Sequence, residues 1–369
     1  MSVSPDLVQY LESIVYGNRR GFAASVVRGF LYVLSGLYRT SIWLYLLPFN
    51  IGLRKRRRLS VLVISVGNLT VGGTGKTPVV QYLSKGFAER KWMPAVLSYG
   101  YGGALSGKFG IVSDRTGVRL TSDICGDEPA MLASDLPGIP VLVCKDRGIS
   151  GQVAIDDLQA NILLLDDGFQ VWKLHRDFDI LLMNADTPFD NGRTLPAGKL
   201  REPVSALKRA NCVIVTGDCK PEKKDGVLEE IRSISIKIPV FFGSFKPSQV
   251  ANISDGTINA VESIKEKRVL ALSAIAKPNL FEDMLAATGA VLVGSERFPD
   301  HHLYSAEDVQ QINRRASETA AELIATTDKD AVKLKGYQFA VPVISVRREL
   351  ELDDEDRFWN LIINTLRHK

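Results

Sequence analysis

The stretch Ser65–Leu83, "SVGNLTVGGTGKTPVVQYL", governs how the rest of this chain is read. An apolar run before it, Leu59–Val66, has the pattern of a buried strand, and a helical pattern starts near Thr77. Between them stand Gly72, Gly73, Thr74 and Gly75, then Lys76 and Thr77. Glycines let backbone N–H groups crowd around phosphate oxygens with no Cβ in the way, and the helix behind them adds its positive end. In such a loop the lysine reaches the β/γ-phosphates and the threonine hydroxyl joins a Mg²⁺ shell. The strict pattern would place its first glycine at position 70, where this chain has Thr70. Residues 72–77 are nevertheless expected to cradle a nucleotide.

Outward from this loop, short apolar runs alternate with helical stretches. Candidate strands are Ala95–Ser98, Pro140–Cys144, Ile162–Leu165, Ile180–Met183 and Cys212–Thr216. They are continuous rather than alternating, as strands of a parallel sheet covered on both faces should be. Pro78–Arg90 and Glu128–Asp135 supply helical crossovers, which gives an α/β, P-loop NTPase-like parallel-sheet domain. The style breaks near Lys220–Gly226, "KPEKKDG", and Ile238–Val250 reads as an extended connector. A second, smaller α/β unit follows through Arg268–Ile275, Ala290–Phe298 and Ala321–Leu334. Val341–Leu350 is then a strand and Asp353–Arg367 a terminal helix. The expected division is an N-terminal segment 1–58, a P-loop domain 59–237, linker strands 238–251 and 341–350, a second domain 252–340 and a terminal helix 351–369.

Acidic residues fall where the chemistry of such a loop needs them. "ANILLLDDGFQ" puts Asp166 and Asp167 just past an apolar strand, at the end that faces the ligand crevice in open parallel sheets. A strand-terminal acid is the usual partner of the loop threonine in holding Mg²⁺. "CGDEPAML" places Asp127 and Glu128 at a helix start, marked by Pro129; N-capping alone would account for one of them. "ERFPDHHLYSAEDV" carries Asp300, His301 and His302 ahead of a helix beginning near Ser305, where an Asp–His proton-transfer role is plausible and a metal site is not. "NGRTLPAGKLREP" is a loop with Arg193, Lys199 and Arg201, whose charge suits a migrating phosphoryl group or a solvated face equally.

The 369 residues, 45% hydrophobic and 24% charged, describe a globular chain with room for two domains. The net charge of +4 is local: Arg54–Arg58, "RKRRR", accounts for it, and elsewhere 41 basic residues face 42 acidic ones. Just before that patch, residues 21–53 are apolar and aromatic, interrupted by Arg28 and Arg39, with a longest uncharged piece of 14 residues. That piece is short for a spanning helix, so a helix lying in a membrane interface is expected, with a helix on the protein's own core as the alternative. A patch beside such a segment suits an anionic lipid surface, and no nucleic-acid-binding motif is present. Cys125, Cys144, Cys212 and Cys219 show no metal or redox spacing and read as core thiols.

Taken together, "VGNLTVGGTGKTP", "SYGYGG", "GDEP", "DDGFQ", "LPAGKLRE", "FPDHH" and "TDKDAVK" resemble, nearly end to end, the lipid A 4′-kinase (tetraacyldisaccharide 4′-kinase) family. The resemblance implies two α/β domains joined by an extended two-stranded linker and a membrane-associating N-terminal segment. It implies transfer of the γ-phosphate of ATP to the 4′-hydroxyl of a tetraacyldisaccharide 1-phosphate, at the cytoplasmic face of a bacterial inner membrane. By motif, Lys76 and Thr77 serve the phosphates, Asp127 is the base acting with His301, and Arg201 contacts phosphate. Thr77, Glu128 and Asp166 hold Mg²⁺, with Asp167 beside them. Two positions depart from the family pattern: Val171 follows DDGFQ where a histidine is common, and Tyr99 stands where SRGYGG has arginine. The rival reading is a membrane-cycling P-loop ATPase of the partition or cell-division type, which carries a signature lysine where this chain has Val71.

Overall fold

The computed structural model describes residues 10, 13–17, 21–217, 221–300 and 302–367. In chain order its main elements are α1 (Phe22–Asn50), β1 (Leu62–Asn68), α2 (Lys76–Glu89), β2 (Pro94–Ser98) and β3 (Gly110–Ser113). Then come α3 (Asp127–Asp135), β4 (Val141–Val143), α4 (Arg147–Asp156), β5 (Ile162–Asp166), β6 (Phe178–Asn184), β7 (Cys212–Thr216) and α5 (Pro221–Ile234). The last part holds β8 (Val240–Asn252), β9 (Ile258–Ala260), β10 (Arg268–Ser273), α6 (Pro278–Ala287), β11 (Val291–Arg297) and α7 (Ala306–Glu318). It closes with β12 (Leu323–Thr327), α8 (Asp328–Leu334), β13 (Val343–Leu352) and α9 (Glu355–Arg367).

The chain forms two compact units, residues 1–76, 162–244 and 352–369 in the first, 77–161 and 245–351 in the second. In the first unit β8, β7, β6, β1 and β5 lie side by side in that order, all parallel. Every residue of β5 and β7 is buried, which is why these strands read as unbroken apolar runs. The register sets Val66 beside Asp166, so β5 stops two residues short of the end of β1 at Asn68, on the same sheet edge as the glycine loop.

In the second unit β2 pairs with β4 in parallel and β3 joins β4 antiparallel. A further parallel set runs β11, β10, β12, β13, with β13 flanked by β8 and β9 antiparallel to β8. Helix α8 packs on α3, bringing the TDKDAVK and GDEP segments together. Ser305 closes a reciprocal cap with Asp308 at the start of α7, the helix start expected from the sequence.

Two expectations change. In the lysine-rich stretch, residues 221–226 are helical: Pro221 opens helix α5, and the charged residues occupy its first turns, while Lys220 lies outside the described residues. Helix α1 runs through Arg28 and Arg39 without a break, so its 29 residues, and not the 14-residue uncharged piece, set its apolar length. By length and composition it is long and apolar enough to cross a membrane. Its outer stripe, Phe22, Val26, Phe30, Val33, Leu37 and Leu44, is exposed, while Leu31, Ser35 and Phe49 are buried. The spacing of both sets follows the helical period, so the apolar face is the one turned away from the protein.

Candidate active site

In the first unit, the glycine loop rises from the end of β1. Gly72 and Gly75 have φ of +114° and +81°, a region L side chains rarely enter, and a Cβ at Gly72 or Gly73 would meet open space. Glycine there serves backbone conformation and close approach of a ligand. The loop is held from below by the Thr216 hydroxyl, which donates to the Thr74 carbonyl at 3.1 Å. Its flank is held by an antiparallel contact with the basic loop: Val71 N–H donates to Lys199 O at 2.8 Å and Arg201 N–H to Leu69 O at 2.7 Å. Leu69, Phe169 and Leu200 fill the core beneath this contact.

That contact decides which cation faces the phosphate loop. Arg193 lies over the Tyr32 ring at 4.0 Å and Lys199 over Tyr16 at 5.5 Å, both toward the N-terminal segment. Arg201 turns to the acid pair instead, donating to Asp167 Oδ2 at 2.7 Å. Lys76 Nζ is 3.8 Å from Asp167 Oδ1 and 3.4 Å from Asn68 Oδ1. Gln170 ties the group to Asn68 O at 3.2 Å and to Glu202 at 3.1 Å, and Glu202 carries a two-pronged bond from Arg209. Asn68, Gln170, Glu202 and Arg209 were not expected from sequence; their roles depend on loop pairing that spacing does not show.

Asp167 has φ +54°, a strained conformation for a residue with a side chain, while Asp166 completes β5 and is buried. The next turn is locked onto β1, because a Cβ at Gly67 would lie 2.6 Å from Phe169 Cβ and 2.8 Å from its nitrogen. Gly67→Ala is therefore expected to cost about 1–3 kcal/mol by overpacking and to displace the DDGFQ turn. Denaturant unfolding measures the first effect and nucleotide affinity the second; unchanged values for both would contradict the locking.

The second unit holds Thr77, Asp127 and Glu128. Thr77 is buried in the first turn of α2, Glu128 is exposed, and Asp127 opens α3 after Gly126, whose φ is +93°. The SYGYGG turn supports this corner: a Cβ on Gly126 would strike the Tyr101 carbonyl, and one on Gly103 would strike the Ile124 carbonyl and Gly126 nitrogen. Asp127 Oδ2 is 3.0 Å from Lys333 Nζ. His301 lies outside the described residues. Its neighbour His302 points inward, with Nε2 2.9 Å from Asp308 Oδ2 and its ring stacked on Phe298. Asp300 pairs with Lys329 at 2.8 Å.

The two departures are accommodated locally. The Tyr99 ring carries the Arg147 guanidinium 5.4 Å from its centroid, and the Val171 carbonyl accepts from Arg176. Burial pushes the Cys125 thiol up to about 11 and raises that of Cys212, as expected of inert core thiols; Cys219 lies outside the described residues. Among the described residues no three His, Cys, Asp or Glu side chains converge as metal ligands. Within the first unit, the strand-end carboxylates Asp166 and Asp167 suit Mg²⁺, which takes one or two protein carboxylates and completes its shell with phosphate oxygens and water.

Comparison with known proteins agrees with this layout. The family model described as LpxK, tetraacyldisaccharide-1-P 4′-kinase, matches residues 27–367. A tetraacyldisaccharide 4′-kinase of Pelobacter propionicus is 37% identical over 366 residues, covering 99% of both chains. That of Geobacter sulfurreducens is 38% identical over 328 residues, 89% of this chain and 90% of the relative. The crystal structure of LpxK from Aquifex aeolicus in complex with ATP superposes with a TM-score of 0.76 at 31% identity, covering 92% of this chain and 99% of that one. A P-loop-type α/β fold, the full set of motifs and relatives matched over nearly their whole length lead to one conclusion: the chain belongs to the tetraacyldisaccharide 4′-kinase family.

Proposed function

We propose that this chain transfers the γ-phosphoryl group of ATP to the 4′-hydroxyl of a tetraacylated glucosamine disaccharide 1-phosphate, giving the 4′-phosphorylated lipid A precursor. The observation that carries the reading is the glycine loop ending in Lys76 beside the Asp167–Arg201 pair, within a family of kinases for this acceptor. The relatives, kinases by name, give the membrane-cycling ATPase reading no support.

The roles divide by chemistry. The N–H groups of Gly72, Gly73, Thr74 and Gly75 cradle the phosphates, and Lys76 meets the β/γ-oxygens. Bound Mg²⁺ would neutralise charge on those oxygens, held by Thr77 and Asp166 with Glu128 and Asp167 as further acidic donors. Asp166 closes the buried strand β5, and Asp167 is shared with Arg201 and Lys76. Asp127 accepts the proton of the 4′-hydroxyl as its oxygen bonds to the γ-phosphorus and the bond to the β-phosphate oxygen breaks, releasing ADP. His301 assists that transfer, and Arg201 offsets charge on the moving group. Incubating the protein with radiolabelled ATP, Mg²⁺ and the tetraacyl disaccharide tests the reading; label on the lipid is expected, and its absence from an ATP-binding protein would reject the reaction.

An acylated acceptor resides in a membrane, which calls for an enzyme seated on the cytoplasmic, ATP-supplied face. The exposed apolar stripe of α1 and the basic patch behind it support that placement. Replacing Phe22, Phe30 and Leu37 with serine is expected to release protein from vesicles. Neutralising Arg54–Arg58 should weaken binding to anionic vesicles at least tenfold in a salt-sensitive way, since each basic side chain near such a surface contributes about 1 kcal/mol. Sedimentation with vesicles reads both, and binding unchanged by either set removes the membrane assignment.

A further inference from the structure

The TDKDAVK segment has no part in the roles given above, yet its last lysine is the most enclosed cation near the proposed base. The Lys333 side chain is 2% exposed. Its ammonium lies 3.0 Å from Asp127 Oδ2, donates to the His302 carbonyl at 3.2 Å, and stands 3.7 Å from Asp330 Oδ1. One ammonium has three protons, and here three acceptors surround it, one from each of the GDEP, FPDHH and TDKDAVK segments.

The far side of this cluster is rigid. Asp330 is fully buried, and its Oδ2 accepts from the Ala274 N–H at 2.9 Å and the Thr327 hydroxyl at 2.7 Å. Those bonds fix Asp330 to the end of β10 and the start of α8, and α8 itself is packed on α3. On the near side, the backbone of Asp127 is set by the Gly126 corner, where neither Gly126 nor Gly103 has room for a Cβ. What the backbone leaves open is the rotation of the Asp127 carboxylate, and Lys333 grips one of its oxygens. The same ammonium holds the backbone of the FPDHH turn at His302, the residue after His301.

We propose that Lys333 is a positioning residue for phosphoryl transfer, orienting the Asp127 carboxylate. The proposal rests on the reading of Asp127 as the base. A proton acceptor must meet the hydroxyl within hydrogen-bond reach, and misplacement of about an ångström costs on the order of a hundredfold. A lysine that acts by positioning the base should show its loss in turnover and not in binding.

Lys333→Met is expected to lower kcat about 10- to 100-fold while leaving KM for ATP and for the lipid within about twofold. Lys333→Arg, which restores a donor to both carboxylates, should recover a large part of that loss. In an Asp127→Asn background, Lys333→Met should lower kcat by less than about twofold further, because the group it positions is already inactive. Melting temperatures report on folding, and Lys333→Met combined with Asp330→Asn removes the orphaned buried carboxylate should the single variant fail to fold. A folded Lys333→Met enzyme, single or combined, with wild-type kcat overturns the positioning role and leaves the base assignment intact. Losses that multiply fully with Asp127→Asn overturn it too, since a purely structural lysine would act in that way. Asp127→Asn with wild-type kcat overturns the base assignment, and the positioning role with it.

Discussion

Lys76→Ala should lose phosphoryl transfer by at least two to three powers of ten and keep its fold. The amine is the positive group at the end of the glycine loop, and removing one such donor from a developing phosphoryl charge costs about 3–4 kcal/mol. The fold should survive because of what surrounds the side chain. Lys76 contributes one long contact to Asp167, 3.8 Å, whereas Arg201 makes a 2.7 Å bond to the other oxygen of the same carboxylate. Removing the lysine therefore leaves Asp167 paired. Turnover with the lipid acceptor and a melting curve check the two halves, and activity within about tenfold of wild type would contradict the nucleotide assignment.

Asp127→Ala is the second large effect. A sugar hydroxyl is a poor nucleophile, so loss of the group that takes its proton should reduce kcat by about two to four powers of ten. ATP binding should persist, because the phosphate grip lies in residues 72–77 and not at the start of α3. The fold should again hold: Lys333 keeps Asp330 and the His302 carbonyl as partners. Calorimetric titration of ATP beside steady-state turnover separates the two, and parallel loss of ATP affinity would mean that Asp127 serves the nucleotide instead of the acceptor. The double variant with His301→Ala should be little worse than the poorer single one if the two act as a unit.

The phosphate loop and the acid pair were legible because their neighbours are unbroken apolar strands, and a parallel sheet puts the carboxyl ends of such strands on one edge. Strand β7 coincides with its expected range, Cys212–Thr216, for the same reason. Strand β3 has four residues and pairs antiparallel at an edge, too short for any pattern to show. Helix α5 was hidden because lysines and acids fill its first turns and obscure the apolar period.

Within the site, the basic loop was legible as a loop and the choice among its three cations was not. That choice is made by two backbone hydrogen bonds to Leu69 and Val71, which no side-chain pattern announces. Lys333 escaped notice for a related reason. It is about 200 positions from Asp127 in the chain, and only the packing of α8 on α3 brings them together. The TDKDAVK motif was visible as a motif; its partner was not.

Helix α1 is fastened to the phosphate-loop unit and not merely appended to it. The Ser35 hydroxyl donates to the Thr194 carbonyl at 2.8 Å, and the Tyr38 hydroxyl to the Arg201 carbonyl at 3.1 Å. Burial, and then the Glu202 carboxylate, raise the Tyr38 phenol above its ordinary value, which keeps it a donor. A helix of this length is roughly 43 Å long and stiff, so it behaves as a strut where a flexible tether would behave as a leash. A leash lets a catalytic centre sample many heights above a lipid surface; a strut allows one. With α1 seated in the membrane as proposed, Lys76 and Arg201 work at a fixed elevation. Acceptors with the same sugar but a headgroup standing closer to the bilayer, or farther from it, would then miss the phosphate by geometry alone.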